Sequence, residues 1–178
     1  MLQNALEIDP LSIVTHSIIV DIYSELSRFD EAIEQYTKAA EIDPYHPVLN
    51  YVVSNAYVFT NKFAEAIASM QKHIEISPTS WAKGQLGNIY GMSGNKEKAE
   101  QILDELKERN KATYVSSYSF ALIYLGLGEN DLTLKCLENA CEEKDPLLVW
   151  IIASQGFDRF RSDPRFKALL KKMVFPED

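Results

Sequence analysis

Residues 86–99 read Leu-Gly-Asn-Ile-Tyr-Gly-Met-Ser-Gly-Asn-Lys-Glu-Lys-Ala, and two of them, Tyr90 and Ala99, belong to series that recur along the whole chain. Tyrosines return at nearly constant intervals, at Tyr23, Tyr57, Tyr90 and Tyr124. Small residues and prolines keep the same interval, at Ala32, Ala66, Ala99 and Thr133, and at Pro10, Pro44 and Pro78. A period of about 34 residues with such markers indicates an array of helix–turn–helix repeats.

Each period has room for two amphipathic helices joined by a short turn. In the first complete unit the apolar residues have helical spacing over 11–25 and again over 29–42. Pro44 is expected to end the second helix, because proline lacks the amide hydrogen that a helix interior needs. Small residues at fixed positions are expected to let the two helices of a pair approach closely, while the tyrosines fill the space between neighbouring pairs.

This pattern resembles the tetratricopeptide repeat family over about residues 2–145. Leu86-Gly87, followed by Tyr90 and Gly94, matches the family motif for the first helix of a pair. The second helix is matched by Phe29, Ala32, Tyr36, Ala39 and Pro44, and in the next unit by Phe63, Ala66 and Pro78. The resemblance implies an all-α fold: a right-handed superhelical solenoid of antiparallel helix pairs, with about four repeats and a carboxy-terminal capping segment.

The repeat markers also divide the chain. We predict repeats over 11–44, 45–78, 79–112 and 113–145, followed by capping helices over 146–178. Leu2, Ala5 and Pro10 share the register of Tyr36, Ala39 and Pro44, so residues 1–10 are expected to be the second helix of a preceding repeat, in a fragment of a longer polypeptide.

The last segment has its own motif. The run from Phe157 to Phe166, Phe-Asp-Arg-Phe-Arg-Ser-Asp-Pro-Arg-Phe, resembles the closing segment of tetratricopeptide regions in bacterial signalling and regulatory proteins. Within it, Asp163 followed by Pro164 is a favourable helix start, because the carboxylate can cap the helix and proline suits the first helical position. The resemblance implies that the chain is part of a larger bacterial regulatory protein.

Composition and charge exclude several function classes. The chain is 46% hydrophobic and has a net charge of −8, of which −7 falls in residues 1–78. An acidic surface of this kind repels nucleic acids and anionic membranes. Neither a membrane-spanning apolar run nor a secretory signal is visible, and Cys136 and Cys141 lie on different faces of one predicted helix. We therefore expect a cytoplasmic protein with no nucleic-acid partner and no membrane insertion.

The sequence contains no recognisable catalytic arrangement. His16, His46 and His73 are isolated and have no metal-ligand spacing. Gly126-Leu127-Gly128 falls at a repeat turn and is not followed by the third glycine of a phosphate-binding loop. We therefore predict no enzyme activity, no cofactor and no metal site.

The first helix of each pair lines the inner groove in the family that the chain resembles. The residues predicted to bind a protein or peptide partner there are Asp21, Tyr51, Asn55, Phe59, Trp81, Asn88, Met92 and Tyr118. Asparagine amides can pair with a peptide backbone, and aromatic side chains favour interfaces. An alternative interpretation remains open, in which the two asparagines tie helices together and Trp81 and Tyr118 pack between repeats.

The charge of the first unit also bears on the partner. Some members of the family that the chain resembles bind acidic chaperone tails through a clamp of basic residues and asparagine. Ser17 and Asp21 stand where that clamp would need a basic residue and an asparagine, so a basic or apolar partner fits better. Two alternatives to groove binding are a spacer or homodimer formed through apolar residues at the amino end (Ile8, Ile18 and Ile22) and, less favoured, ligand or nucleic-acid contact through the basic carboxy-terminal segment.

Overall fold

Helices make up most of the part of the chain that the computed structural model describes, residue 6 and residues 8–174. In chain order they are α1 (Ile13–Glu25), α2 (Phe29–Ile42), α3 (Pro47–Phe59), α4 (Phe63–Ile76), α5 (Ser80–Met92), α6 (Lys96–Asn110), α7 (Ser117–Leu127), α8 (Asn130–Glu142), α9 (Trp150–Ala153) and α10 (Pro164–Val174). Two short 3-10 helices, Pro146–Val149 and Gln155–Phe160, flank α9. These described residues contain no strand, and the predicted all-α fold of adjacent helix pairs is confirmed. The predicted register of Leu2 and Ala5 falls outside them.

The chain divides into two compact units, Met1–Ala82 and Lys83–Asp178, and the boundary lies within α5. In the first unit α1 packs against α2, α3 packs against α4, and α3 also contacts both helices of the preceding pair. The core of this unit is formed by fully buried aliphatic side chains that include Val20, Leu49 and Val53, with the small residues Ala32 and Ala39 between them.

The recurring tyrosines mark the point where the first helix of each pair ends. One residue near the end of each of these helices has a left-handed backbone: Ser27 (φ 59°), Asn61 (φ 58°), Gly94 (φ 85°) and Gly128 (φ 79°). The next amide then donates back to the carbonyl of the recurring tyrosine, as in the bond from Lys62 to Tyr57 at 2.8 Å and from Asn95 to Tyr90 at 2.9 Å. This is the hydrogen-bond pattern of a Schellman C-cap, which satisfies the last carbonyls of a helix.

Two polar side chains anchor the prolines that precede the first helices. His16 Nε2 lies 3.0 Å from Pro10 O, and at the equivalent place in the next repeat Asn50 Nδ2 donates to Pro44 O over 3.2 Å. Asn50 is fully buried and also donates to His46 O at 3.0 Å. These hydrogen bonds tie the connection between repeats to the helix that follows it.

In the second unit, glycines allow α5 and α7 to approach very closely. A Cβ added to Gly126 of α7 would lie 2.2 Å from Asn88 O, and one added to Gly84 of α5 would lie 2.6 Å from Ser119 O. A Cβ on Gly91 would lie 2.5 Å from the carbonyl carbon of Gly126. These glycines act between the first helices of successive pairs.

An aromatic cluster and two arginines hold the carboxy-terminal segment. Phe157, Phe160 and Phe166 are buried against one another, with ring centroids 6.1–6.5 Å apart. Arg165 forms a two-pronged ion pair with Glu138 of α8 (2.8 and 2.9 Å), while Arg159 donates to the carbonyl of Leu125. Helix α10 begins at Pro164, and Asp163 Oδ1 accepts from the amide of Arg165 at 2.7 Å.

Candidate partner-binding surface

Two carboxylates lie on one face of α1 beside polar groups of α3. Asp21 and Glu25 are one helical turn apart, and burial raises the pKa of Asp21. Burial also raises the pKa of Glu25, and the like charge of Asp21 raises it further. This face of α1 thus carries two negative charges, of which Asp21 is half-buried and Glu25 is exposed.

Tyr51 and Asn55 of α3 complete this polar group. Burial raises the pKa of Tyr51, a hydrogen bond with Asn55 lowers it, and the charges of Asp21 and Glu25 raise it again. The Tyr51 phenol is therefore hydrogen-bonded to Asn55, and the charges of the two carboxylates act on it. Glu25 was not among the residues predicted from the sequence, although its spacing of four from Asp21 is the signal that could have found it.

Aromatic rings continue this surface within the first unit. Tyr51 and Trp81 meet edge to face with centroids 4.7 Å apart, and the ring of His73 lies 5.9 Å from Tyr51 and 5.8 Å from Trp81. Trp81 remains partly accessible, and Phe59 of α3 is 40% exposed while it stacks on Phe29 at 5.0 Å. We name Asp21, Glu25, Tyr51, Asn55, Phe59 and Trp81 the acidic–aromatic surface.

His73 is a structural partner of this surface that sequence reasoning did not assign to it. Its Nδ1 lies 2.9 Å from Pro47 O, so Nδ1 carries the proton that the carbonyl accepts. The ring is buried, and its Nε2 has no hydrogen-bond partner among the described residues. His73 thus links α4 to the start of α3, and its ring packs against the rings of Tyr51 and Trp81.

The predicted residues of the second unit occupy different environments. Asn88 is 5% exposed, and its Nδ2 donates to Leu122 O at 2.8 Å, so its amide ties α5 to α7. Tyr118 is 3% exposed and packs 6.3 Å from the ring of Phe157. Met92, at the end of α5, is 45% exposed. Of these three residues, Met92 offers the most surface to a partner in this conformation.

An apolar stripe runs along the exposed side of α1 and the residues next to it. Its members are about one helical turn apart and between 39% and 67% exposed: Leu11, Val14, Ile18, Ile22 and Leu26. Ile8, which precedes them, is 87% exposed. A contiguous stripe of this kind is typical of an interface.

The basic residues near the carboxyl end have two different roles. The arginines bind within the chain: Arg159 to Leu125 O, Arg161 to Ile152 O at 2.7 Å, and Arg165 to Glu138. Lys167, Lys171 and Lys172 of α10 are exposed. The arginines are thus structural, which weakens the case for ligand or nucleic-acid contact through this segment.

Neither a metal centre nor a membrane span can be built from the described part of the chain. Within residue 6 and residues 8–174, no three His, Cys, Asp or Glu side chains gather closely enough to hold a metal ion. The helices in the same part are too short or too polar to cross a bilayer.

Stacked helix pairs, with a Schellman-capped turn recurring once in every repeat, define a helical-repeat protein. The tetratricopeptide repeat family model matches residues 16–46 and 49–80, so these two segments have the sequence of tetratricopeptide repeats. A crystal structure of a tetratricopeptide repeat protein from Parabacteroides merdae matches with a TM-score of 0.56 and 16% identity, over 99% of this chain and 71% of that one. At that identity the likeness shows the fold alone. No curated protein matches the chain at a significant level.

Proposed function

We propose that this protein is a non-catalytic interaction module that binds an extended segment of a partner protein on the acidic–aromatic surface. Tetratricopeptide repeats generally serve as protein-interaction modules, and this surface lies on the first helices of the repeats. The observation that carries the proposal is the half-buried Asp21 and the exposed Glu25 on one face of α1, together with Tyr51, Asn55 and Trp81.

The charge and chemistry of the surface determine which partner fits. Asp21 and Glu25 both attract a cation that approaches this face, and the partial burial of Asp21 strengthens its attraction. Tyr51 and Trp81 offer ring surfaces for a cation or an apolar side chain. Asn55 can donate to and accept from a peptide backbone. The partner segment is therefore extended, with a Lys or Arg next to apolar residues.

The test is selection from a random peptide library with the intact chain. Wild-type protein is expected to enrich peptides that contain Lys or Arg beside an apolar residue, and Asp21→Asn/Glu25→Gln is expected to lose that enrichment. Glu34→Gln/Glu41→Gln is a matched control, because it removes two charges from exposed positions of α2. If these peptides are not enriched, or are enriched equally by all three proteins, the proposal is wrong. The enriched sequence can then be used to search for the client.

Self-association is the second candidate function, and the apolar stripe of α1 favours it. A homodimer would cover Leu11, Val14 and Ile18, which are exposed in the isolated chain. Sedimentation of wild type and Val14→Glu/Ile18→Glu over a range of concentrations tests this role. A wild type that stays monomeric throughout rules it out, whereas a dimer that dissociates in the variant supports it.

We further infer that the module belongs to a larger bacterial signalling or regulatory protein in the cytoplasm. The Phe157–Phe166 run, whose phenylalanines are buried and whose Arg159 and Arg165 anchor the segment, is the feature that supports this context. The test is the gene that encodes the chain: a reading frame without a regulatory or catalytic domain would contradict the inference.

A further inference from the structure

A cleft of about 960 Å³ lies in the second unit and shares no lining residue with the acidic–aromatic surface. It is bounded by the end of α8, the Pro146–Val149 helix, α9 and the last turns of α10. Its size is within the range of small-molecule sites, roughly 300–1,000 Å³. Nothing in the repeat architecture requires an opening of this size in a capping segment.

The cleft combines an apolar wall with a cationic rim. Leu148 is buried, while Val149 and Ile152 leave 55% and 46% of their surface exposed. Ala168 and Met173 of α10 provide apolar surface on another side. An exposed aliphatic wall at the rim of a folded domain is suited to contact with hydrocarbon.

Three lysines line the same cleft: Lys144, Lys171 and Lys172. None of them forms an ion pair within the described part of the chain. The carboxylate that also lines the cleft, Asp145, is 8% exposed, and its oxygens accept from Leu147 N (2.9 Å) and from the hydroxyl of Ser116. The cleft is therefore net positive in a chain whose net charge is −8.

We propose that this cleft binds a single-chain amphipathic anion, namely a fatty carboxylate of medium length. Its hydrocarbon would lie along Leu148, Val149 and Ile152, and its carboxylate would reach the ammonium groups of Lys171 and Lys172. The helix dipole of α10 favours lysines at its carboxyl end, but it does not account for Lys144, which lies outside that helix at a left-handed turn (φ 54°). Charge complementarity and the adjoining apolar wall together select this occupant over a neutral or cationic one.

The cleft contains its own chemical reporter. Cys141 is a free, partly buried thiol on its wall. The other thiol, Cys136, does not line the cleft, and burial raises its pKa to about 11, which keeps it protonated and slow to react. In a Cys136→Ser background, the reaction of Cys141 with the neutral reagent 4,4′-dithiodipyridine therefore measures access to the cleft.

The experiment follows Cys141 modification in the full chain with laurate added below its micelle concentration. Laurate is expected to slow modification, and octanoate should bind at least about tenfold more weakly, because each buried methylene strengthens binding by roughly twofold to fourfold. Dodecylamine, which has the same chain length and the opposite charge, should protect least. Equal protection by laurate and dodecylamine, or none by laurate, would overturn the proposal.

Variants separate the two parts of the cleft. Lys171→Gln/Lys172→Gln is expected to weaken laurate about fivefold, and Ile152→Gln should weaken it similarly by removing hydrocarbon contact. Lys167→Gln is the matched control, because this exposed lysine of α10 does not line the cleft. Circular dichroism shows whether each variant is folded. Protection of Cys141 that grows with protein concentration and without laurate would assign the cleft to a second copy and overturn the proposal.

Discussion

The closeness of α5 and α7 makes Gly126→Ala the most informative substitution in the second unit. The added methyl would lie 2.2 Å from Asn88 O and 2.7 Å from Asn88 Cα, and both are backbone atoms that cannot rotate away. Ordinary van der Waals contact begins at 3.4 Å, so the two helices must move apart by most of that shortfall. That movement also strains the 2.8 Å bond from Asn88 to Leu122 O.

The expected loss of stability follows from three contributions. Overpacking typically costs about 1–3 kcal/mol, and a weakened buried hydrogen bond adds about 1 kcal/mol. Alanine recovers roughly 0.5–1 kcal/mol through its higher helix propensity. We therefore expect Gly126→Ala to lower the free energy of unfolding by about 1–3.5 kcal/mol, or the Tm by roughly 2–14 °C for a chain of this size.

Thermal and urea unfolding followed by circular dichroism measure this effect. The matched control is Gly156→Ala, whose methyl would meet Ser154 Oγ at 3.5 Å and Leu125 Cδ2 at 3.6 Å, both ordinary contacts. The control should stay within about 0.5 kcal/mol of wild type. If Gly126→Ala is as stable as the control, then α5 and α7 are not in close contact and the reasoning is wrong.

Three further predictions concern titrating groups. Because burial raises the folded-state pKa of Asp21, its ionisation opposes folding as the pH rises through that pKa. Asp21→Asn should therefore stabilise the protein at pH 7, and urea titrations should show this gain disappearing below the unfolded-state pKa. The Arg165 guanidinium lowers the pKa of Glu138. Their ion pair therefore stabilises the fold above the unfolded-state pKa of Glu138, and this stabilisation is lost as the pH falls through the lower folded-state pKa. Arg165→Met should lower the free energy of unfolding by about 0.5–1 kcal/mol at pH 7 and should leave it unchanged in strong acid. An equal loss of stability at both pH values would show that the substitution affects packing alone. Cys136, with its pKa raised to about 11, should react far more slowly than a free thiol at pH 8 in single-cysteine chains, and fast reaction would contradict its burial.

The architecture was predictable from the sequence because its markers have direct structural causes. The tyrosine interval fixed where each first helix ends, since those carbonyls accept the bonds of the Schellman caps. The prolines fixed where the connections between repeats lie. Both markers act within a few residues along the chain, where sequence spacing and distance in space are closely related.

The candidate site was less predictable because it depends on how far apart helices lie. Family register placed Asn88 and Tyr118 on first helices, but it could not show that Gly84, Gly91 and Gly126 draw α5 and α7 together until Asn88 reaches a backbone carbonyl. In the first unit Tyr51 stands where the second unit has Gly84. The predicted residues there, with Asp21 among them, keep part of their surface accessible.

The left-handed turns have a consequence for how the protein opens. Ser27 and Asn61 occupy in the first unit the backbone conformation that Gly94 and Gly128 occupy in the second, where Lys144 is the one non-glycine residue with a left-handed backbone among the described residues. A side chain in that region costs roughly 1–2 kcal/mol, which glycine avoids. We expect amide hydrogens of the first unit to exchange faster than those of the second. The unit that carries the acidic–aromatic surface would then open locally more often. Ser27→Gly and Asn61→Gly should slow that exchange, giving a direct way to ask whether capture of a partner depends on pliability.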